Sequence, residues 1–246
     1  YEELDTGAEY FFNESTQMLY VWPNTTSSKT STTIPAELND LVVPVLQQVI
    51  ATTGQQSTPV KNLTIDGISF RDTAAVYEEQ WEVPSGGDWA LHRSGAVFLQ
   101  GTENAVVKGG KFMRLDGNAV MLNGYNRDAK IIGNEFVYIA DNVIAGWGET
   151  KAWDGRNGDQ PRNTLISNNF IHELGFFEKQ SSAYFQAKSA LTTIRDNIMF
   201  NMPRAAINVR QYLLQFISSL VCEYCFDLEP CSSMMGLAGV IMSQAI

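Results

Sequence analysis

Two stretches of the chain, about two dozen residues apart, read almost alike, and this repetition limits the possible folds more than any other feature. They are Gly95-Ala-Val-Phe-Leu-Gln-Gly101 and Asn118-Ala-Val-Met-Leu-Asn-Gly124. The segments that follow them also match, since each contains an apolar run, then Gly, then Phe112 or Phe136. Short strand-forming runs that recur between turn-forming residues are typical of a solenoid, in which each coil packs on its neighbours.

The repeat can be followed along the chain through the residue that closes the first strand of each coil. We assign this position to Phe70, Phe112, Phe136, Phe170 and Met199. An asparagine stands two places before the last three of these residues, at Asn134, Asn168 and Asn197. Stacked asparagine side chains can hydrogen-bond from coil to coil, so the pattern predicts a buried asparagine ladder.

These repeats predict an all-β chain in which residues 58–209 form a right-handed parallel β-helix. Residues 1–57 then form an N-terminal region with a β-hairpin, because the apolar runs of residues 9–12 and 18–22 flank a turn. Residues 210–246 lack the repeat and are either an end cap, helical in character, or sequence that is not native to the fold. The alternative, a β-sandwich of antiparallel hairpins, gives no reason for the same residues to recur at one spacing.

Composition and charge exclude several classes of partner. With 44% hydrophobic and 18% charged residues the chain can bury a core, and its formal net charge of -10 argues against binding nucleic acid or an anionic membrane. No apolar run is long enough to span a membrane. The cysteines, Cys222, Cys225 and Cys231, are too few for a zinc site with four ligands, so we predict no metal site.

The N-terminal half suggests a secreted protein. The chain begins with Tyr1 rather than Met, so we expect it to be a segment of a longer protein whose signal peptide lies outside it. Asn13, Asn24 and Asn62 each begin a sequence that fits the glycosylation acceptor pattern. Together these features predict secretion to the extracellular space.

Four segments of the chain resemble sequences of a known family. They are residues 84–97 (PSGGDWALHRSGAV), 115–120 (LDGNAV), 179–188 (KQSSAYFQAK) and 203–208 (PRAAIN). The chain resembles right-handed β-helix repeat proteins of the pectin-lyase-like fold, near the glycoside hydrolases of that fold that include fucosidase and xylanase members. The resemblance covers roughly residues 1–208 and implies a carbohydrate-active protein that acts on a polysaccharide or another glycan. The chain departs from the family after about residue 209, where further coils usually follow, so the resemblance also allows an incomplete enzyme.

Hydrolysis of a glycosidic bond ordinarily needs two carboxyl groups. Equivalent positions on successive coils lie about 4.8 Å apart, so carboxylates on neighbouring coils can face one sugar. Asp116 and Asp141 follow Phe112 and Phe136 by nearly the same interval, and we predict that they are a catalytic pair. His172 is expected at the same edge of the solenoid as a third catalytic residue. All three also fit structural roles, because Asp commonly forms turns and a lone His often only hydrogen-bonds within the fold.

Substrate-binding residues are expected mainly on the insertions between coils, which collect on the binding face of a solenoid. Aromatic rings stack on sugars, and cationic groups can neutralise a substrate carboxylate. The candidates are Trp89, His92, Arg93, Trp153, Lys179 and Arg204.

Two other functions remain open at this stage. A polysaccharide lyase would use Lys or Arg as its base and bind calcium through carboxylates, whereas a hydrolase needs no cofactor. A non-catalytic module would hold a glycan in its groove without cleaving it. One fold hosts many functions, so the fold alone does not decide among them.

Overall fold

The computed structural model describes residues 5–7, 9–13, 15–22, 42–83, 90–151, 154–211 and 239–244. The chain divides into two compact units, Tyr1–Val43 and Pro44–Ile246. The described residues contain no α-helix, and therefore none that is long and apolar enough to cross a membrane.

The first unit contains the predicted β-hairpin. Strands β1 (Glu9–Asn13) and β2 (Met18–Trp22) pair in antiparallel fashion, with Glu9 opposite Trp22 and Asn13 opposite Met18. The side chain of Asn13 accepts a hydrogen bond from the backbone N–H of Thr16 at 3.1 Å, which stabilises the turn.

The second unit consists of short strands. They are β3 (Ile50–Ala51), β4 (Val60–Lys61), β5 (Thr64–Asp66), β6 (Ser69–Arg71), β7 (Val97–Glu103), β8 (Val106–Lys108), β9 (Lys111–Leu115), β10 (Val120–Arg127), β11 (Lys130–Ile132), β12 (Glu135–Ile139), β13 (Ile144–Trp147), β14 (Pro161–Arg162), β15 (Leu165–Ser167), β16 (Phe170–Leu174), β17 (Ser182–Ala187), β18 (Thr193–Arg195), β19 (Ile198–Phe200), β20 (Ala205–Gln211) and β21 (Gly239–Gln244).

These strands form three parallel sheets, and successive coils of the chain add strands to each of them. Sheet 1 has the order β21-β20-β17-β13-β10-β7-β3, with β14 beside β10 and β4 beside β7. Sheet 2 has the order β18-β15-β11-β8-β5, and sheet 3 has the order β19-β16-β12-β9-β6. This arrangement confirms the predicted parallel β-helix.

The ends of sheet 1 lie outside the range predicted for the β-helix. Ile50 and Ala51 of β3 already pair with β7, ahead of residue 58. Strand β21 pairs in parallel with β20 beyond residue 209. Residues 212–238, which contain the three cysteines and most of the predicted helical end cap, lie outside the described residues.

The core of the β-helix is built from side chains that stack in register from coil to coil. In sheet 3 the rings of Phe70, Phe112 and Phe136 stack with centroids 4.7 Å apart at each step. The next residue in this row is Ile171, which pairs with Phe136 and is fully buried, whereas Phe170 is 39% exposed. The assignment of Phe170 to this row was therefore wrong by one residue.

The corner between sheets 2 and 3 explains that shift. A residue with positive φ turns the chain there in every described coil, at Gly67, Gly109, Gly133, Asn168 and Asp196. Gly, Asn and Asp adopt this left-handed conformation most readily. Asn168 therefore forms the corner, and the residue after it belongs to the asparagine ladder.

The ladder itself is present and consists of Asn134, Asn169 and Asn197. Asn134 donates its side-chain N–H to Asn169 Oδ1 at 3.1 Å, and Asn169 donates to Asn197 Oδ1 at 2.9 Å. Each side chain also donates to a backbone carbonyl of the preceding coil. These bonds satisfy the buried amides and connect three successive coils.

Candidate functional site

The outer face of sheet 1 carries a second apolar cluster, made of Leu91, Met121, Ala145, Trp147, Phe185 and Ala187. Leu91 belongs to the long insertion between β6 and β7. The insertion is closed by two backbone hydrogen bonds between Glu82 and Leu91, at 3.0 and 2.9 Å. The insertion therefore packs on the outer face of sheet 1. It places Arg93, two residues after Leu91, beside the cluster.

A cavity of about 420 Å³ opens on the same face of sheet 1. Its lining contains amide, carboxylate, guanidinium and phenol groups, from Gln55, Gln56, Gln100, Asn123, Asn157, Glu149, Asp159, Arg93 and Tyr125. Gly54, Gly101 and Gly124 complete the lining, and Gly101 packs so closely on Gly54 that a Cβ at Gly101 would lie within 2.1 Å of its backbone. A concave surface with several polar groups can orient a ligand that is rich in hydroxyl groups.

The side chain of Arg93 is fixed by several neighbours in the cavity. Its Nε donates to Asn123 Oδ1 at 3.0 Å, and its Nη1 lies 2.5 Å from Glu149 Oε1 and 3.5 Å from Glu82 Oε2. The guanidinium lies over the ring of Trp147, 4.7 Å from the centroid. Because four groups hold the planar fork, Arg93 in turn orients Glu149.

Two carboxylates reach the cavity from one loop. Glu149 follows β13, and Lys188 Nζ lies 3.9 Å from its Oε2. Asp159 is half-buried and lies above Gly124, where an added Cβ would be 3.1 Å from Asp159 Oδ1. The backbone N–H of Glu149 donates to the carbonyl of Asp159 at 2.6 Å, so the two ends of the loop are joined.

Of the residues that line the cavity, sequence reasoning selected Arg93 and missed the others, although the repeat contained a signal for some of them. Gln100 and Asn123 occupy the same place in the two matching phrases, directly before Gly. Asn123 Nδ2 donates to Gln100 Oε1 at 2.6 Å, so the repeat places an amide pair on the cavity wall. Glu149 and Asp159 lie in the loop between β13 and β14, and no repeat or motif distinguishes them from the other charged residues of that loop.

Asp116 lies in the turn between sheet 3 and sheet 1, where its backbone N–H donates to Thr73 Oγ1 at 2.9 Å. Its carboxyl group is half-buried, and burial raises its pKa, with a further rise from the negative charge of Asp72. Asp72 is itself bound by Arg114 at 2.7 and 3.1 Å. Asp116 is not part of the cavity lining.

Asp141 lies in the equivalent turn of the next coil and is buried, with 1% of its surface exposed. Its Oδ1 accepts hydrogen bonds from Asn142 Nδ2 at 2.6 Å and from Ser181 Oγ at 3.2 Å. Burial raises the pKa of Asp141 to about 7, although hydrogen bonds from the backbone of Asn142 and from the Ser181 side chain act in the opposite direction. The catalytic pairing of Asp116 with Asp141 stays a prediction.

His172 lies within β16, opposite Val137 and Phe200, on the outer face of sheet 3. Its ring stacks on Phe200 with centroids 5.2 Å apart and an interplanar angle of 8°. Its Nε2 is 4.0 Å from Glu135 Oε1. The cavity belongs to sheet 1, so the structure does not bring His172 to its lining, and a catalytic role for His172 stays a prediction.

The other candidate residues have separate surroundings. His92 packs beside Trp81, with ring centroids 6.0 Å apart, and burial lowers its pKa against the opposing effect of nearby carboxylates. Lys179 Nζ donates to the carbonyl of Gly175 at 2.9 Å. Arg204 directly precedes β20 and is half-buried. Trp89 and Trp153 lie outside the described residues.

Among the described residues, no group of three or more His, Cys, Asp or Glu side chains is arranged to hold a metal ion.

The stacked coils with their three parallel sheets define a parallel β-helix protein, and the cavity on sheet 1 is its candidate site. No model of a protein family matches the sequence, and no curated protein sequence matches it. A solved structure described as a glycoside hydrolase matches the fold with a TM-score of 0.62 and 15% sequence identity. The match covers 85% of this chain and 40% of that protein, so this chain spans less than half of its length. The comparison shows a glycoside-hydrolase-like fold.

Proposed function

We propose that this chain is a carbohydrate-active β-helix domain that hydrolyses glycosidic bonds of a polysaccharide in the sheet 1 cavity. The observation that carries the proposal is the presence of two carboxylates, Glu149 and Asp159, in one cavity with a fixed guanidinium and several amides. The fold shared with a glycoside hydrolase supports it.

The chemistry follows from the general requirements of glycoside hydrolysis. One carboxyl group protonates the departing oxygen, and the other acts as a base toward water or as a nucleophile. Glu149 and Asp159 supply these groups in our proposal. Arg93 orients Glu149, while Asn123 and Gln100 bind sugar hydroxyl groups through their amides.

Asp116 and Asp141 are the competing pair. The raised pKa of each carboxyl suits a proton donor. Substrate would reach Asp141 only if its turn moved, because the side chain is buried.

The first experiment compares Glu149→Gln and Asp159→Asn with Asp116→Asn and Asp141→Asn. Reducing-sugar release is measured on a panel of plant, algal and microbial glycans. We expect each cavity variant to lower the rate by about 100-fold or more, since removal of a general acid or base has effects of that order. The matched controls are Glu173→Gln on sheet 3 and Asp66→Asn on sheet 2, which should retain the rate. Loss of activity only in Asp116→Asn and Asp141→Asn would indicate that the catalytic site lies at the turns between sheet 3 and sheet 1 instead of in the cavity.

The products decide between the remaining functions. Unsaturated sugars that absorb ultraviolet light and a requirement for calcium would indicate a polysaccharide lyase. Glycan binding that survives in all variants, without cleavage of any substrate, would indicate a non-catalytic binding module.

We further propose that the protein is secreted. Asn62 is exposed at the corner after β4, whereas Asn13 is half-buried at the end of β1. Asn24 lies outside the described residues. Expression in a eukaryotic secretory host should yield protein whose mass falls on treatment with an N-glycosidase, and Asn62→Gln should reduce that change.

A further inference from the structure

We infer that the sheet 1 cavity takes an uncharged sugar and discriminates against uronic acids. This inference rests on the proposed function and specifies its substrate class. It follows from how the charged groups of the cavity are already paired.

Among the described residues that line the cavity, Arg93 is the cation. Carboxylates already lie beside its guanidinium. Glu149 and Glu82 lie 2.5 and 3.5 Å from its Nη1, and Asn123 accepts from its Nε. The nearby Lys188 is also directed at Glu149. To pair with Arg93, a substrate carboxylate would have to displace Glu149. Either the substrate carboxylate or Glu149 would then lack the Arg93 guanidinium as its partner.

Arg127 packs on Tyr125, which lines the cavity, and its guanidinium is also occupied. Its Nη1 donates to the carbonyls of Asn126 and Gln160 at 2.9 and 2.5 Å, and its Nη2 donates to Gly158 at 2.6 Å. The guanidinium also lies over the ring of Tyr125, 4.2 Å from the centroid. These contacts hold Arg127 in a structural role.

The remaining lining suits hydroxyl groups. Amides both donate and accept hydrogen bonds, which is the pattern that a neutral sugar presents. Asp159 adds a further negative charge to the lining. The whole chain has a formal net charge of -10, so its field repels a polyanionic glycan before contact.

Calorimetric titration of the full chain tests the inference without relying on turnover. The probes are neutral xylo-, manno- and arabino-oligosaccharides, compared with oligogalacturonate and oligomannuronate of equal length, at low and at physiological ionic strength. We expect at least one neutral probe to bind and the uronates to bind about tenfold more weakly or worse, with a smaller difference at higher salt. Glu149→Gln should raise uronate affinity about fivefold or more because it releases Arg93, whereas the control Glu173→Gln should not.

The outcomes separate this inference from the proposed function. Uronate binding as tight as neutral binding in the unmodified chain would overturn the inference and leave the proposed function standing. Binding of neither class, together with no release of reducing sugar, would overturn both.

Discussion

Asp141 shows how one buried residue can make the whole fold sensitive to pH. Its Oδ1 accepts two hydrogen bonds, but within the described residues its buried Oδ2 has no hydrogen-bond partner. A proton on this carboxyl removes the cost of burying a charge, which is why burial raises the pKa to about 7. The carboxylate of Glu178 acts in the same direction.

We predict that the protein loses stability as the pH rises from about 4 to about 7. In this range the folded chain keeps the proton of Asp141, whereas the unfolded chain, with a pKa near 3.8, has released it. The stabilising effect is therefore complete at low pH and is lost as the pH passes the folded pKa. Its size is on the order of a few kcal/mol, and denaturant unfolding at a series of pH values measures it.

Asp141→Asn provides the decisive comparison for this prediction. An amide does not titrate, so the part of the pH dependence that comes from Asp141 should disappear. Asp66→Asn, an exposed site on sheet 2, should keep the dependence of the unmodified protein. Equal slopes in all three proteins would show that Asp141 titrates normally.

At the scale of the strand and its corner, the neighbouring residues Asn168 and Asn169 have different structural roles. Asn168 turns the chain with a φ of 56°, and Asn169 binds the coils on both sides of it. The first role needs a backbone conformation, and the second needs a side-chain amide.

We predict that Asn169→Ala lowers the free energy of unfolding by about 2–4 kcal/mol, because several buried hydrogen bonds lose a partner. Asn168→Gly should change it by less than about 0.5 kcal/mol, since Gly adopts positive φ without strain. Urea unfolding of both variants measures the difference. A larger loss in the Asn168 variant would contradict the ladder register.

The stacked rings of sheet 3 lead to a second prediction at this scale. Phe112→Ala should cost about 3–5 kcal/mol, because the ring is fully buried between Phe70 and Phe136. Phe170→Ala should cost less than about 1 kcal/mol, because its ring is on the outer face and 39% exposed. Thermal unfolding of the two variants compares a buried with an exposed phenylalanine on the same sheet.

For the whole molecule, the β-helix behaves as a row of coils in which each coil depends on its neighbours. In the described part of sheet 2, β11 lies between β8 and β15, whereas β5 and β18 have a partner on one side only. Local opening should therefore be easiest at the two ends of this row.

We predict that backbone amides of β11 exchange with solvent more slowly than those of β5 and β18. Hydrogen exchange followed by mass spectrometry or NMR measures the three rates under native conditions. Equal rates would indicate that the coils open only together, in a single global unfolding step.

Much of the fold could be predicted from the sequence because its rules are local. Alternating side chains, left-handed corners and recurring Gly and Asn positions are properties of each coil, and Gly95–Gly101 and Asn118–Gly124 repeat them. The register was predicted less well, since Asn168 and Asn169 are adjacent and identical. Strand pairing between coils, with Phe136 opposite Ile171, decides which of them enters the ladder.

The sequence by itself determined that the chain stacks short strands into a β-helix and buries an asparagine ladder. Only the tertiary structure decided the composition of the cavity, because Arg93 comes from the insertion before β7, Asn123 from β10, and Glu149 and Asp159 from the loop after β13. Their contacts depend on how each insertion folds back over sheet 1, and no periodic pattern encodes that path. The physical reason is that repeating local interactions specify the coils, whereas long-range packing specifies which side chains meet.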